Sequence, residues 1–222
     1  MTVTMQWRVS PSDRRVLYSP VGFRLIDDLT GRAPLGEVTC TVWLRDVAGQ
    51  YWPTDLQPAR NVSGALVFPG LGRSSRVNDP PHHYRAVITA TYYRPFYAAQ
   101  QDGLEFDAPP YNDAQPPPTV VGVPQDVVLV PAANYPFQPQ VRVLRGDVRD
   151  AAGSPVTNVE ISRGNTERVL SDESGCFALP LRQDPSGTPI TIDALDHRSG
   201  KQGQAQVTLP ADLGKSQRIT IN

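Results

Sequence analysis

The chain writes one phrase twice, and this repetition constrains its fold more than any other feature. Residues 59–71 read ARNVSGALVFPGL and residues 170–181 read LSDESGCFALPL: a Ser-Gly pair, then large apolar residues in alternation, closing on Pro and Leu. Gly supplies the positive φ of a tight turn, and alternation of period two marks a strand with one face in a core. Laid side by side, both halves give a strand, an Asp-containing turn with Gly, an alternating strand, a variable stretch, the Ser-Gly phrase and a further strand. In the first half these are FRLID, DLTGRAP, EVTCTVWL, the stretch after it, NVSGALVFPGL, YRAVITATYY and finally QDVVLVP. In the second they are VRVLRGDVRD, DAAGSP, VTNVEIS, RGNTERVL, SDESGCFALPL, TPITIDALD and SQRITIN. A repeat of this kind requires one fold unit used twice.

The unit is all-β. In EVTCTVWL, Val38, Cys40, Val42 and Leu44 point one way and Thr39, Thr41 and Trp43 the other. In YRAVITATYY both faces carry apolar or β-branched groups, which predicts a central strand over residues 84–93. The 23 prolines and 17 glycines break helices and suit turns between short strands. Strands at intervals of roughly 8 to 12 residues indicate a sandwich. The expected architecture is two tandem transthyretin-like or immunoglobulin-like β-sandwich domains, residues 1–130 and 141–222. PAANYPFQPQ, residues 131–140, is read as a short, stiff proline-rich linker. Inside the first domain a proline-rich loop, residues 107–124, is long enough to be a binding element.

Charge and targeting narrow the function. With 21 basic and 22 acidic residues spread along the chain, no region has the basic field of a nucleic-acid partner. No apolar run has the length of a signal peptide or a bilayer span, so the chain is expected to be made in the cytoplasm without membrane insertion. Cys40 and Cys176 fall one in each half and read as free thiols, and Asn61-Val62-Ser63 as a chance glycosylation match.

Chemistry-bearing residues are sparse. His82-His83 is the one place where metal-binding types cluster, but adjacent residues on a strand face opposite sides, and the pair is read as a polar loop leading into the Tyr84 strand. The serines of both Ser-Gly pairs lack a local base, and Asp27-Asp28 and Asp172-Glu173 sit in turns. No enzyme, metal or cofactor is expected. Aromatics are the stronger signal: Tyr92, Tyr93, Phe96 and Tyr97 lie within six positions, with Tyr51-Trp52 and Tyr111 in loops of the same half and Arg85 and Arg94 nearby. Those left outside the core could form a protein interface or a platform for sugar rings. A sugar platform predicts two or more coplanar exposed rings; a protein contact predicts a broader patch that includes aliphatics and the proline loop. In the arm MTVTMQWRVSPSDRR, Met5, Trp7 and Val9 alternate, so the arm could add a strand to a partner.

The second half resembles the carboxypeptidase regulatory-like family of transthyretin-like sandwiches. RGDVRDAAGSPVTNVEIS and SDESGCFALPL carry the resemblance, with Gly175 and Phe177 opening the core strand. The first half looks like a divergent relative through Gly31, Gly64 and Phe68. The resemblance implies a fold and no catalytic residues. The junction VVLVPAANYPFQPQVRVLRGDVRDAAGSP is similar to regions in accessory components of phage-tail-like contractile injection systems. That implies a structural subunit contacting other protein subunits of a bacterial particle. The rivals are a carbohydrate-binding or adhesive module and, on the strength of the histidines, an iron enzyme.

Overall fold

Period-two patterning governs nearly the whole molecule. The computed structural model describes residues 17–117, 122–164, 167–182 and 186–222; the arm with Met5, Trp7 and Val9 lies outside them, as do residues 118–121 of the proline-rich loop. The first half contributes β1 (Gly22–Asp27), β2 (Val38–Arg45), β3 (Tyr51–Pro53), β4 (Ala59–Arg60), β5 (Leu66–Val67), β6 (His82–Ala90), β7 (Tyr93–Pro95), β8 (Leu104–Ala108) and β9 (Gln125–Pro131). A short 3-10 turn, Phe96–Ala99, follows β7. The second half contributes β10 (Arg142–Asp150), β11 (Glu160–Arg163), β12 (Glu167–Leu170), β13 (Cys176–Leu181), β14 (Pro189–Leu195), β15 (Gln202–Thr208) and β16 (Gln217–Ile221).

The internal repeat is a repeat of topology. β1 pairs antiparallel with β5 and parallel with β9; β10 pairs antiparallel with β13 and parallel with β16. The opposing sheets run β3-β2-β6-β8 and β12-β11-β14-β15, so each strand has its counterpart in the other half. β4 and β7 extend the first sheet of the first half to β4-β5-β1-β9-β7. Each half buries its own core between its sheets: Phe23, Leu25, Val42, Tyr84, Ile88 and Leu129 in the first, and Leu144, Val148, Ile161, Phe177, Ile192 and Ile219 in the second. β6 is central, between β2 and β8, as its two apolar faces require.

Two turn designs are each reused. In D46-V-A-G-Q50, N61-V-S-G-A65, D150-A-A-G-S154 and D172-E-S-G-C176 the first side chain accepts two amides, two and four residues on, while a glycine three on sits near φ +80°. The turn at Asp27 is not of this type. It is one residue longer, closing from Asp27 to Arg32 with Thr30 bonded to the carboxylate, and its twin is Asp196–Lys201, where Ser199 takes the same place. The expected equivalence of the Asp27 and Asp150 turns therefore fails: in the Asp27 turn the glycine stands four residues after the acid instead of three.

Three further expectations are corrected. The strand read over residues 84–93 ends at Ala90; the chain bends at Thr91-Tyr92 and enters the opposite sheet as β7, which turns Tyr93 into the core (3 % exposed). The stretch 131–140 is not a plain spacer. Pro131 belongs to β9, and Tyr135 is buried edge-to-face on Tyr93 (5.3 Å) with Phe137 against it (4.7 Å). Both tyrosine hydroxyls reach the buried Asp27 carboxylate. His82 and His83 lie in β6 rather than in a loop, and His83 pairs with Asp107 across the strand pair.

Candidate functional site: the seam between the sheet pairs

The aromatic cluster resolves into residues with separate tasks. Tyr93 is enclosed, its hydroxyl taking the Leu35 amide (3.0 Å). Tyr111 is also enclosed, 1 % exposed, edge-to-face with Tyr18 at 5.5 Å, and its hydroxyl receives the Tyr18 amide. Neither is available to a partner: the bend at Tyr92 turns Tyr93 inward, and Tyr111 is held by its backbone, whose amide donates to the Gly72 carbonyl and whose carbonyl accepts the Ser74 amide. Arg73 pairs with Asp113 through both terminal guanidinium nitrogens, so the proline-rich loop is pinned up to that point. Tyr92 is half-buried beside Gly36, where a Cβ would approach its ring to 2.9 Å. Tyr97 is half-buried, its hydroxyl accepts the Ile88 amide (2.8 Å), and burial pushes its pKa up to about 12.

Phe96 is the residue whose position matters most. The 3-10 turn sets Phe96, Ala98 and Ala99 against Val128 and Val130 of β9 and Leu170 of β12, an apolar cluster shared by the two halves. The Arg168 guanidinium lies over the Phe96 ring, 3.9 Å from its centroid, and reaches Asp28 at 3.3 and 3.4 Å. Around this cluster arginines cross the seam. Arg94 donates twice to Asn158 Oδ1 and pairs with Glu173; Arg182 donates to the Leu29 carbonyl; Arg198 donates to the Ala98 carbonyl and pairs with Asp102. Asn158 holds a φ of +58°, which an asparagine tolerates better than most side chains, and so turns its amide oxygen toward Arg94. The Glu173 carboxyl is held low by its own backbone N–H and by Arg94.

A cavity of about 400 Å³ opens beside the seam, lined in part by Arg94, Tyr97, Asp102, Asn158, Glu173 and Arg198. Its charged groups are committed to one another, so its geometry is that of a buttress. Of the seam arginines only Arg94 stood out in the sequence, beside the aromatics; no local signal ties Arg168 to a phenylalanine 72 positions earlier.

The other proposed chemistries find less geometry. Among the described residues no group of three His, Cys, Asp or Glu is placed to hold a metal ion. Tyr51 and Trp52 are neighbours on β3 and face opposite sides of it. Arg85 covers the Tyr51 ring at 3.8 Å, and the Trp52 indole N–H is tied to Asp46, which holds that carboxyl below its ordinary range. Cys40 and Cys176 are free thiols, and Asn61 spends its side-chain oxygen on its own turn.

No protein-family model and no curated protein matches the chain. Among solved structures, it is similar to the Bacillus anthracis TIE protein, with 11 % identity and a TM-score of 0.28 over 92 % of this chain and 33 % of that one. BcpA, the major pilin subunit of Bacillus cereus, matches with 10 % identity and a TM-score of 0.28 over 90 % of this chain and 68 % of that one. A C-terminal fragment of the pilus adhesin SpaC from Lactobacillus rhamnosus GG gives 13 % and 0.19, covering 91 % and 95 %. The chain spans a third of the TIE protein's length. Likenesses this distant carry no argument about function.

Proposed function

We propose that the chain is a non-catalytic structural and interaction subunit, two β-sandwiches braced into one rigid body. Its setting in this reading is a bacterial phage-tail-like contractile particle, into which the protein is incorporated after synthesis in the cytoplasm. The observation that carries the interaction reading is the kind of apolar group left in solvent. Among the described residues the exposed large hydrophobics are Leu17, Leu35, Val47, Val62, Val123 and a single ring, Trp52. Aliphatics and a residue of the proline-rich loop suit contact with protein, whereas a sugar platform needs coplanar rings. Val47 and Val62 stand at the same position of two copies of one turn, each fully exposed at a hairpin tip. The seam supports the structural half of the reading, since a braced pair transmits position from one end to the other.

The test is to tag the protein in its native cell, separate the lysate on a density gradient and image the tagged fraction by electron microscopy. Co-migration with a large tubular particle is expected. Recovery only as a free protein of 24.3 kDa would remove that setting.

A further inference from the structure

β1 and β5 are partners only at Gly22 and Phe23. Beyond them β1 runs on to Asp27, while the β4–β5 hairpin closes through its turn at Asn61–Ala65 and leaves a slot beside β1. The Asp27 turn returns along this slot through Gly31, Arg32, Ala33 and Pro34. The slot is a cavity of about 380 Å³, lined in part by Arg24, Gly31, Arg32, Arg60, Ser63 and Gly64. A volume of this order suits a small ligand.

The slot carries one sign of charge. Three arginines border it and, among the described residues that line it, no carboxylate does. The seam cavity and the one beside His83 differ, because there basic side chains meet acidic ones in the same lining. Most of the described arginines have a carboxylate partner. Arg24 is one of them: it spends Nε and Nη2 on Asp126 (2.6 and 2.7 Å), which leaves Nη1 for another acceptor. The side chains of Arg32 and Arg60 have no acceptor among the described residues. Both stand on fixed backbone. The Arg32 amide donates to Thr30 Oγ1 and its carbonyl accepts the Asp27 amide. Arg60 lies opposite Leu66 in β4, directly before the turn that the Asn61 side chain holds. Gly31 and Gly64, at φ +68° and +81°, add no side chain to the walls, and a Cβ on either would meet nothing within 4 Å.

We infer that this slot binds a compact polyanion, a small molecule that carries phosphate or carboxylate groups. Guanidinium forks grip either oxyanion through paired N–H bonds, with Arg32 and Arg60 as the main donors and Arg24 Nη1 as a third. The ligand must be multiply charged, because the slot opens to water and a single exposed ion pair contributes little. Several contacts made at once from a preset backbone overcome that limit.

Isothermal titration calorimetry of the full chain at low ionic strength, with pyrophosphate and with citrate as probes, tests the site. Binding should weaken about tenfold or more in Arg32→Ala/Arg60→Ala. It should stay within about twofold of the parent in Arg76→Ala/Lys201→Ala, which removes the same charge elsewhere on the surface. The parent's melting point should rise with the probe that binds, and both variants should melt with the parent when no probe is present. Binding of pyrophosphate alone would assign a phosphate-bearing ligand, and binding of citrate alone a carboxylate-bearing one. Failure of both probes to bind, or an equal loss in the two variants, would overturn the site.

Discussion

Truncating Phe96 to alanine probes the seam directly. A fully buried Phe→Ala change costs about 3–5 kcal/mol, and half-burial reduces this to about 2. Losing the guanidinium above the ring adds roughly 0.5–1 kcal/mol, for a total near 3. Arg168→Ala loses the same stacking and also the pair with Asp28, together about 1–2 kcal/mol. The double variant should then cost less than the sum of the singles by the shared contact, about 0.5–1 kcal/mol. Urea unfolding of the four proteins measures this cycle, and the thermal midpoint of Phe96→Ala should fall by about 6–12 °C for a chain of this size. A coupling within about 0.3 kcal/mol of zero, with Phe96→Ala costing less than about 0.5, would refute a seam in which this pair bears weight.

Tyr135→Ala should cost about 3–5 kcal/mol in urea unfolding and Tyr135→Phe about 1 or less, whereas a residue in a mere spacer would give no change for either. Gly146→Ala should destabilise by about 3 kcal/mol or more, measured the same way, because a Cβ there would sit 2.1 Å from the Gln217 carbonyl and under 3 Å from the Phe177 ring. Burial pushes the Cys40 thiol up to about 12, so at pH 8 Cys40 should resist a thiol reagent that labels the more exposed Cys176, as intact-mass counting would reveal. Tyr97 is raised by burial to about 12 from an ordinary value near 10, so the unfolded chain releases this proton first. Its contribution to stability is complete below pH 10 and is lost as pH rises toward 12; in Tyr97→Phe the alkaline unfolding curve should be shallower over that window. Val47→Asp with Val62→Asp should leave the melting point unchanged and reduce recovery in the large-particle fraction.

What could be read from the chain depended on how local the cause was. β2 and β6 follow from alternation, and the turns at Asp150 and Asp172 from an acid and a glycine at fixed spacing, since each is decided within a few residues. β15 escaped because QGQAQVT offers one large apolar side chain, Val207, on a strand whose other residues are mostly polar. The division of residues 84–93 between two sheets also escaped, because the alternation continues through the bend and only the partner strand distinguishes β7 from β6. The candidate aromatics were found by clustering, but clustering cannot tell an inward tyrosine from an outward one: Tyr93 and Tyr111 went to the core and Phe96 to the seam. Arg94, Arg168, Arg182 and Arg198 acquire meaning only once the two halves are brought together.

The parallel pairing of the first and last strand in each half has a mechanical consequence. The chain enters β1 at one end of its sandwich and leaves β9 at the other, and it does the same with β10 and β16. Tension applied along the backbone therefore pulls these strands past one another, loading every ladder bond of the pair at once instead of peeling them apart in turn. Two such clamps in series would hold against force along the molecule's length and give way more readily to force across it.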